Sequence, residues 1–243
     1  MTKTADPMSR LIRAGRAVVA ALAEPVERDH RQSDSEFRRR RVVAAVTLAV
    51  GATLLGLSLS VRPGDAVFYP LTVLVAAVWI IGALLSGPLH LGSAPRRGRR
   101  RRPVVVPVVT GLVIAAVFIA GALAVREIPA LRDLVNDVLA HARYGEAALI
   151  AAVTVLNGIA EEIFFRGALF AAIGRRHPVA ISTVVYAAAT VATGNAMLVF
   201  AAALLGLVLG IQRRVTGGVL APILTHITWS TTMLFALPAL IHQ

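Results

Sequence analysis

"AEEIFFRG", residues 160–167, sets Glu161, Glu162 and Arg166 in a run where almost every other residue is Ala, Val, Leu, Ile or Phe. At mid-membrane each ionised group costs about 3 kcal/mol on insertion scales, so the three together cost on the order of 9. A chain keeps such groups where they are matched to one another or put to use. The fold therefore turns on whether the surrounding run is a membrane span.

Composition says that it is. The chain has 243 residues, 57% of them hydrophobic, and a mean hydropathy of +0.74. A soluble domain spreads its apolar residues over periodic faces, whereas here they come in long blocks. Runs suited to crossing a bilayer fall at 42–61, 67–86, 104–125, 147–172, 178–193, 196–212 and 218–241. The fifth and sixth are short and joined only by Thr193, Gly194 and Asn195. The expectation is an all-α, polytopic helical membrane protein of about seven spans.

Charge orients it. Of the 25 basic residues, twenty lie at alternate span ends: Lys3 and nine arginines up to Arg41, six in 96–102, Arg175 with Arg176, and Arg213 with Arg214. Only Arg62, Arg126, Arg132 and Arg143 lie at the other ends. By the positive-inside rule the N-terminus is cytoplasmic and the C-terminus external. The arginine clusters sit where anionic headgroups would meet them, so the net charge of +12 implies a lipid partner and no nucleic acid. The absence of cysteine removes disulfides and thiolate metal sites. The preference for Arg over Lys suggests a GC-rich genome, and the expected location is a bacterial plasma membrane.

The chain divides into a basic tail (1–41), N-terminal spans (42–125), an external segment (126–146) and a C-terminal membrane core (147–241). Within the tail, 8–24 has the look of a helix lying on the cytoplasmic face. In 126–146 the apolar positions 131, 134, 135, 138 and 139 have helical spacing, an amphipathic helix at the outer interface. "RPGD" at 62–65 is a turn. Gly206 and Gly210 are spaced for close helix packing.

In the core, Glu162 and Arg166 are i,i+4 and can pair. Glu161 is turned about 100° away and shares its face with Asn157. A carboxylate without a cation in an apolar setting is a stronger base than one in water, which suits it to general-base work. Counting about 1.5 Å per residue from the cytoplasmic ends, Glu161 lies roughly 16 Å deep, His226 and Tyr186 roughly 12 and Thr190 roughly 18. His226 and Ser230 are i,i+4 and face one side. The expectation is one polar layer with Glu161 and His226 at its centre.

The three patterns together resemble the CAAX-protease and bacteriocin-processing (CPBP or Abi) intramembrane proteases over roughly 145–240. Glu161, Glu162 and Arg166 match that family's first motif in full. "YAAAT" stands at the second, Phe-x-x-x-His, with Tyr186 for the aromatic and Thr190 for the histidine. "HITWS" stands at the third, His-x-x-x-Asn, keeping His226 and placing Ser230 at the asparagine. The resemblance implies a helical bundle with a conical cavity open to the cytoplasmic leaflet. It also implies cleavage of a membrane-associated peptide or protein by a glutamate-activated water. In that scheme Glu161 is the base, His226 and Ser230 stabilise the oxyanion, Glu162 and Arg166 position the helix, and the Thr190 hydroxyl orients the water. No cofactor is expected, since a catalytic zinc wants three protein ligands and Thr190 replaces the motif histidine. Two rival readings are a non-catalytic relative acting as a scaffold or immunity factor, and a small transporter. Against the transporter stands the lack of an internal repeat or broken helix pair. The substrate and the oligomeric state are not legible.

Overall fold

The computed structural model describes residues 32–96, 99–174 and 176–241. The expected surface helix at 8–24 lies outside the described residues. The helices are α1 (Asp34–Ser60), α2 (Phe68–Ser86), α3 (Val105–Val125), α4 (Pro129–Tyr144) and α5 (Ala147–Glu162). α5 continues through a π-helical turn (Ile163–Leu169) into α6 (Phe170–Ile173), and α7 (Pro178–Thr190), α8 (Ala196–Thr216) and α9 (Leu220–Leu240) follow. Six helices are long and apolar enough to cross a membrane, with 147–173 taken as one; α7 and its 3₁₀ extension to Thr193 form a shorter apolar helix. The protein is an all-α multi-pass membrane protein. In the basic segment the strands Ala94–Arg96 and Arg99–Arg101 pair antiparallel as a small ribbon.

α1 starts earlier than its apolar run because the sequence writes a capping box ahead of it. The Ser33 hydroxyl accepts from the Glu36 amide (3.4 Å), and Glu36 accepts from the Ser33 amide (2.9 Å). The helix thus carries Arg39, Arg40 and Arg41 on its first turns, where each donates to a backbone carbonyl. Arg39 reaches Leu85, Arg40 reaches Pro88 and Arg41 reaches Ala172, each at 3.0 Å. Helix C-termini leave carbonyls unsatisfied, and a guanidinium both bonds them and complements the dipole. These arginines, which the charge pattern assigns to lipid, tie three helix ends together. We call this the arginine end.

At the opposite end α4 lies across the bundle, burying Val135 and Leu139. His141 bonds the Val61 carbonyl through Nε2 (3.1 Å), Asn195 Nδ2 donates to the Leu134 carbonyl (2.8 Å), and Arg143 donates to the Ile241 carbonyl. Asn195 also caps α8 by accepting from the amides of Met197 and Leu198.

Helix contact depends on small residues. A Cβ at Gly51 would enter the Trp79 ring, and one at Gly82 would enter Thr47, so α1 and α2 close on each other through these glycines. Gly210 on α8 faces Val179, and Gly206 faces Tyr186 and Thr183 of α7. The spaced glycines of α8 are a packing seam to α7.

Candidate active site

The site is built where α5 gives way to the π-helical turn. Trp79 of α2 stacks on Phe164 with ring centroids 4.6 Å apart and lies against Phe165 at 5.1 Å, wedging the turn from one side. From the other side Arg213 of α8 donates its Nε to the Arg166 carbonyl at 2.6 Å, its guanidinium over the Phe170 ring. A π turn opens the α-helical hydrogen-bond ladder, and Arg213 meets one of its carbonyls. Residues beyond Glu162 are therefore out of phase with the α-helix before it.

The two glutamates diverge as their spacing predicts: Glu162 keeps the expected Arg166 and gains a second partner, whereas Glu161 is met by a group other than Asn157. Glu162 is fully buried, and its Oε1 accepts from Arg166 Nη1 (2.9 Å) and from His226 Nδ1 of α9 (2.8 Å). The intrahelical pair thus acquires the imidazole as a third member. Gly158 faces this imidazole, and a Cβ there would stand in ordinary contact with it, 3.6 Å from the His226 ring. Glu161 is half-buried, and its Oε2 accepts from the Tyr186 hydroxyl of α7 at 2.5 Å. Asn157 does not serve it; that amide donates to the Thr72 and Val153 carbonyls.

Thr190 is buried, but its hydroxyl is turned back to the Tyr186 carbonyl at 2.9 Å, the usual bond of a threonine inside a helix. It does not line the cavity described next. Its expected place beside Glu161 is held by the Tyr186 hydroxyl. Ser230 does face the cavity together with His226, its hydroxyl 3.4 Å from the Ile227 carbonyl.

A cavity of about 590 Å³ opens beside these groups. Glu161, Asn157, His226 and Ser230 form its polar floor, and its α5 wall runs from Ile150 to Glu161, about 16 Å of helix. Above the floor its lining is mostly apolar, with Ser58, Thr72, Thr154 and His141 among it, and α4 roofs it with Val138 and Leu139. The cavity lies in the α4 half of the bundle, because the arginine half is filled by Trp79, Phe164, Phe165 and the π turn. It therefore lies toward the end opposite the arginine clusters.

A zinc fits this donor set poorly. Glu162 Oε1 is already shared by a guanidinium and an imidazole, and Glu161 is turned to a phenol. Among the described residues no three His, Asp or Glu side chains converge as metal ligands.

Fold and site together define a multi-pass helical membrane protein with a buried carboxylate–guanidinium–imidazole cluster at the base of an apolar cavity. Residues 143–232 match the model of a protein family, Type II CAAX prenyl endopeptidase Rce1-like. This segment is thus similar to that family, which is of the CPBP kind that the motifs resemble. It contains Glu161, Glu162, Arg166, Tyr186, Thr190, His226 and Ser230. No curated protein and no solved structure matches the chain. The sequence reading missed the π turn and the role of Arg213, which it counted among the basic loop residues; the only signal for Arg213 was its place on the last turn of an apolar helix.

Proposed function

We propose that the protein is an intramembrane endopeptidase in which Glu161 activates a water against a peptide carbonyl held in the cavity. One observation carries the reading: Glu161 and His226 come from different helices to the floor of one cavity, each gripped from behind by a buried group. Glu161 takes a proton from water as the water oxygen attacks the carbonyl carbon. With Nδ1 turned to Glu162, Nε2 of His226 is the ring nitrogen left to face the developing oxyanion, and Ser230 stands one turn away. Collapse of the tetrahedral intermediate breaks the C–N bond, and Glu161 returns its proton to the leaving amine. Glu162 and Arg166 hold the arrangement without touching the substrate. The substrate is a membrane-associated peptide that arrives through the α4 half, the side opposite the arginine clusters. No cofactor takes part.

The test is cleavage of membrane-anchored peptides by the purified protein in liposomes. Glu161→Gln should abolish product. His226→Asn should slow turnover by about a hundredfold or more, the usual cost of one oxyanion donor. Equal product from Glu161→Gln and the natural protein would refute the reading. The back-bonded Thr190 favours a second reading, a relative that binds its partner in the same cavity without cutting it. Peptide binding with no cleavage in that assay would support it.

A further inference from the structure

Among the described residues Glu161 forms no ion pair, yet its carboxylate is held by a hydroxyl, and the holder lies outside the cavity. We infer that Tyr186 is the positioning residue of this site, its hydroxyl fixing Oε2 of Glu161 so that Oε1 alone meets the cavity. The inference rests on the reading of Glu161 as the base and adds how that base is aimed.

The contact is short, 2.5 Å from the phenol oxygen to Oε2, in the range of charge-assisted O–H···O bonds. The ring that delivers it is clamped. Tyr186 is 7% exposed, its centroid lies 4.6 Å from that of Phe165, and Thr190 binds its backbone carbonyl. Gly206 of α8 backs the ring, where a Cβ would stand 3.3 Å from Tyr186 Cδ1 and 3.4 Å from Arg166 Nη2. Tyr186 does not line the cavity, so it acts on a substrate only through Glu161.

Arg166 completes the device. Its guanidinium carbon lies 4.6 Å from the Tyr186 ring centroid. One nitrogen bonds Glu162, whereas the buried Nε and Nη2 have no hydrogen-bond partner among the described residues. The charge not spent on Glu162 is thus presented to the aromatic face, drawing electron density from the ring and making the phenol a better donor. Two cavity-facing groups are in this way joined behind the cavity wall, from Glu161 through Tyr186, Arg166 and Glu162 to His226. When Glu161 accepts the proton of water on Oε1, Oε2 stays bonded to Tyr186, which keeps its own proton throughout. Oε1, carrying that proton, then faces the leaving amine.

The test uses the full chain in lipid nanodiscs, with glutamate side-chain carboxyls carrying ¹³C. The infrared carboxyl band of Glu161 is identified by its loss in Glu161→Gln. In Tyr186→Phe, which removes one oxygen atom and keeps the ring, this band should shift. Cleavage in liposomes should lose at least about tenfold in kcat, the scale of a hydrogen bond to a charged group, with KM within about twofold because the cavity lining is untouched. Unchanged melting in detergent confirms that the variant is folded; if Tyr186→Phe does not fold, the position of the Glu161 band in Gly206→Ala, which displaces the same ring, decides. An unmoved band overturns the inference, and so does a moved band with unchanged kcat. If the natural protein cleaves nothing, the endopeptidase reading fails, and the infrared band alone decides whether Tyr186 holds Glu161.

Discussion

The two halves of the bundle draw on the same apolar residues and use them in opposite ways. Toward the arginine end, Trp79, Phe164, Phe165 and Phe170 fill the space between helices, and backbone carbonyls are met by Arg39, Arg40, Arg41 and Arg213. Toward α4 the helices stand apart around a cavity of about 590 Å³ whose lining is mostly apolar above its floor. Glu161, Glu162, Arg166 and His226 lie at the boundary. The comparison explains how a membrane protein can keep charged groups at this depth. The packed half anchors them, and the hollow half gives two of them something to face.

The largest effect should come from the packed half. Arg166→Met leaves Glu162 a buried carboxylate without its guanidinium, and breaking such a pair costs about 3–5 kcal/mol. Thermal unfolding in detergent should show a steep loss, partly restored by adding Glu162→Gln. Trp79→Ala should also cost about 3–5 kcal/mol, from the cavity left against Phe164 and Phe165. Arg213→Met removes the donor to the Arg166 carbonyl and should cost about 1–3 kcal/mol, with cleavage reduced as well, because the π turn sets the angle between Glu161 and Arg166. In the hollow half the order reverses. Thr154→Leu fills cavity space and should raise stability by about 0.5–2 kcal/mol while blocking peptide turnover. A large loss of stability there would break the contrast between the halves. The smallest effect belongs to Thr190→Ala, expected to change turnover by less than about twofold, since the hydroxyl contributes only a helix back-bond.

How much of this the sequence discloses depends on the kind of question. Span positions are legible because hydropathy and the lack of water fix them. Pro178–Thr193 is the run the sequence marks as the fifth span, and α4 lies inside the expected external segment. The pairing of Glu162 with Arg166 is legible too, being set by one helix's own geometry. Partnerships between helices are not. Depth counting sets His226 near the level of both glutamates, but depth does not give azimuth, and His226 turns to Glu162 rather than Glu161. Tyr186 could be placed near Glu161, yet nothing local says that its hydroxyl and not Thr190 makes the bond. The π turn is hidden for a related reason. "IFFRGAL" suits an α-helix equally well, and the wide turn is held by Trp79 and Arg213 from distant stretches of the chain. The side on which the cavity opens is likewise a property of packing, decided by where the large aromatic residues collect.

The central claim is that Glu161 cuts peptides in the membrane, and the most direct measurement compares protein termini in the membranes of cells that carry the gene. One strain has the natural chain and the other Glu161→Gln at matched abundance, with new N- and C-terminal peptides read in both. The account predicts a set of paired termini that vanishes in the variant and names the substrate. Identical sets, with both proteins intact in the membrane, would contradict it.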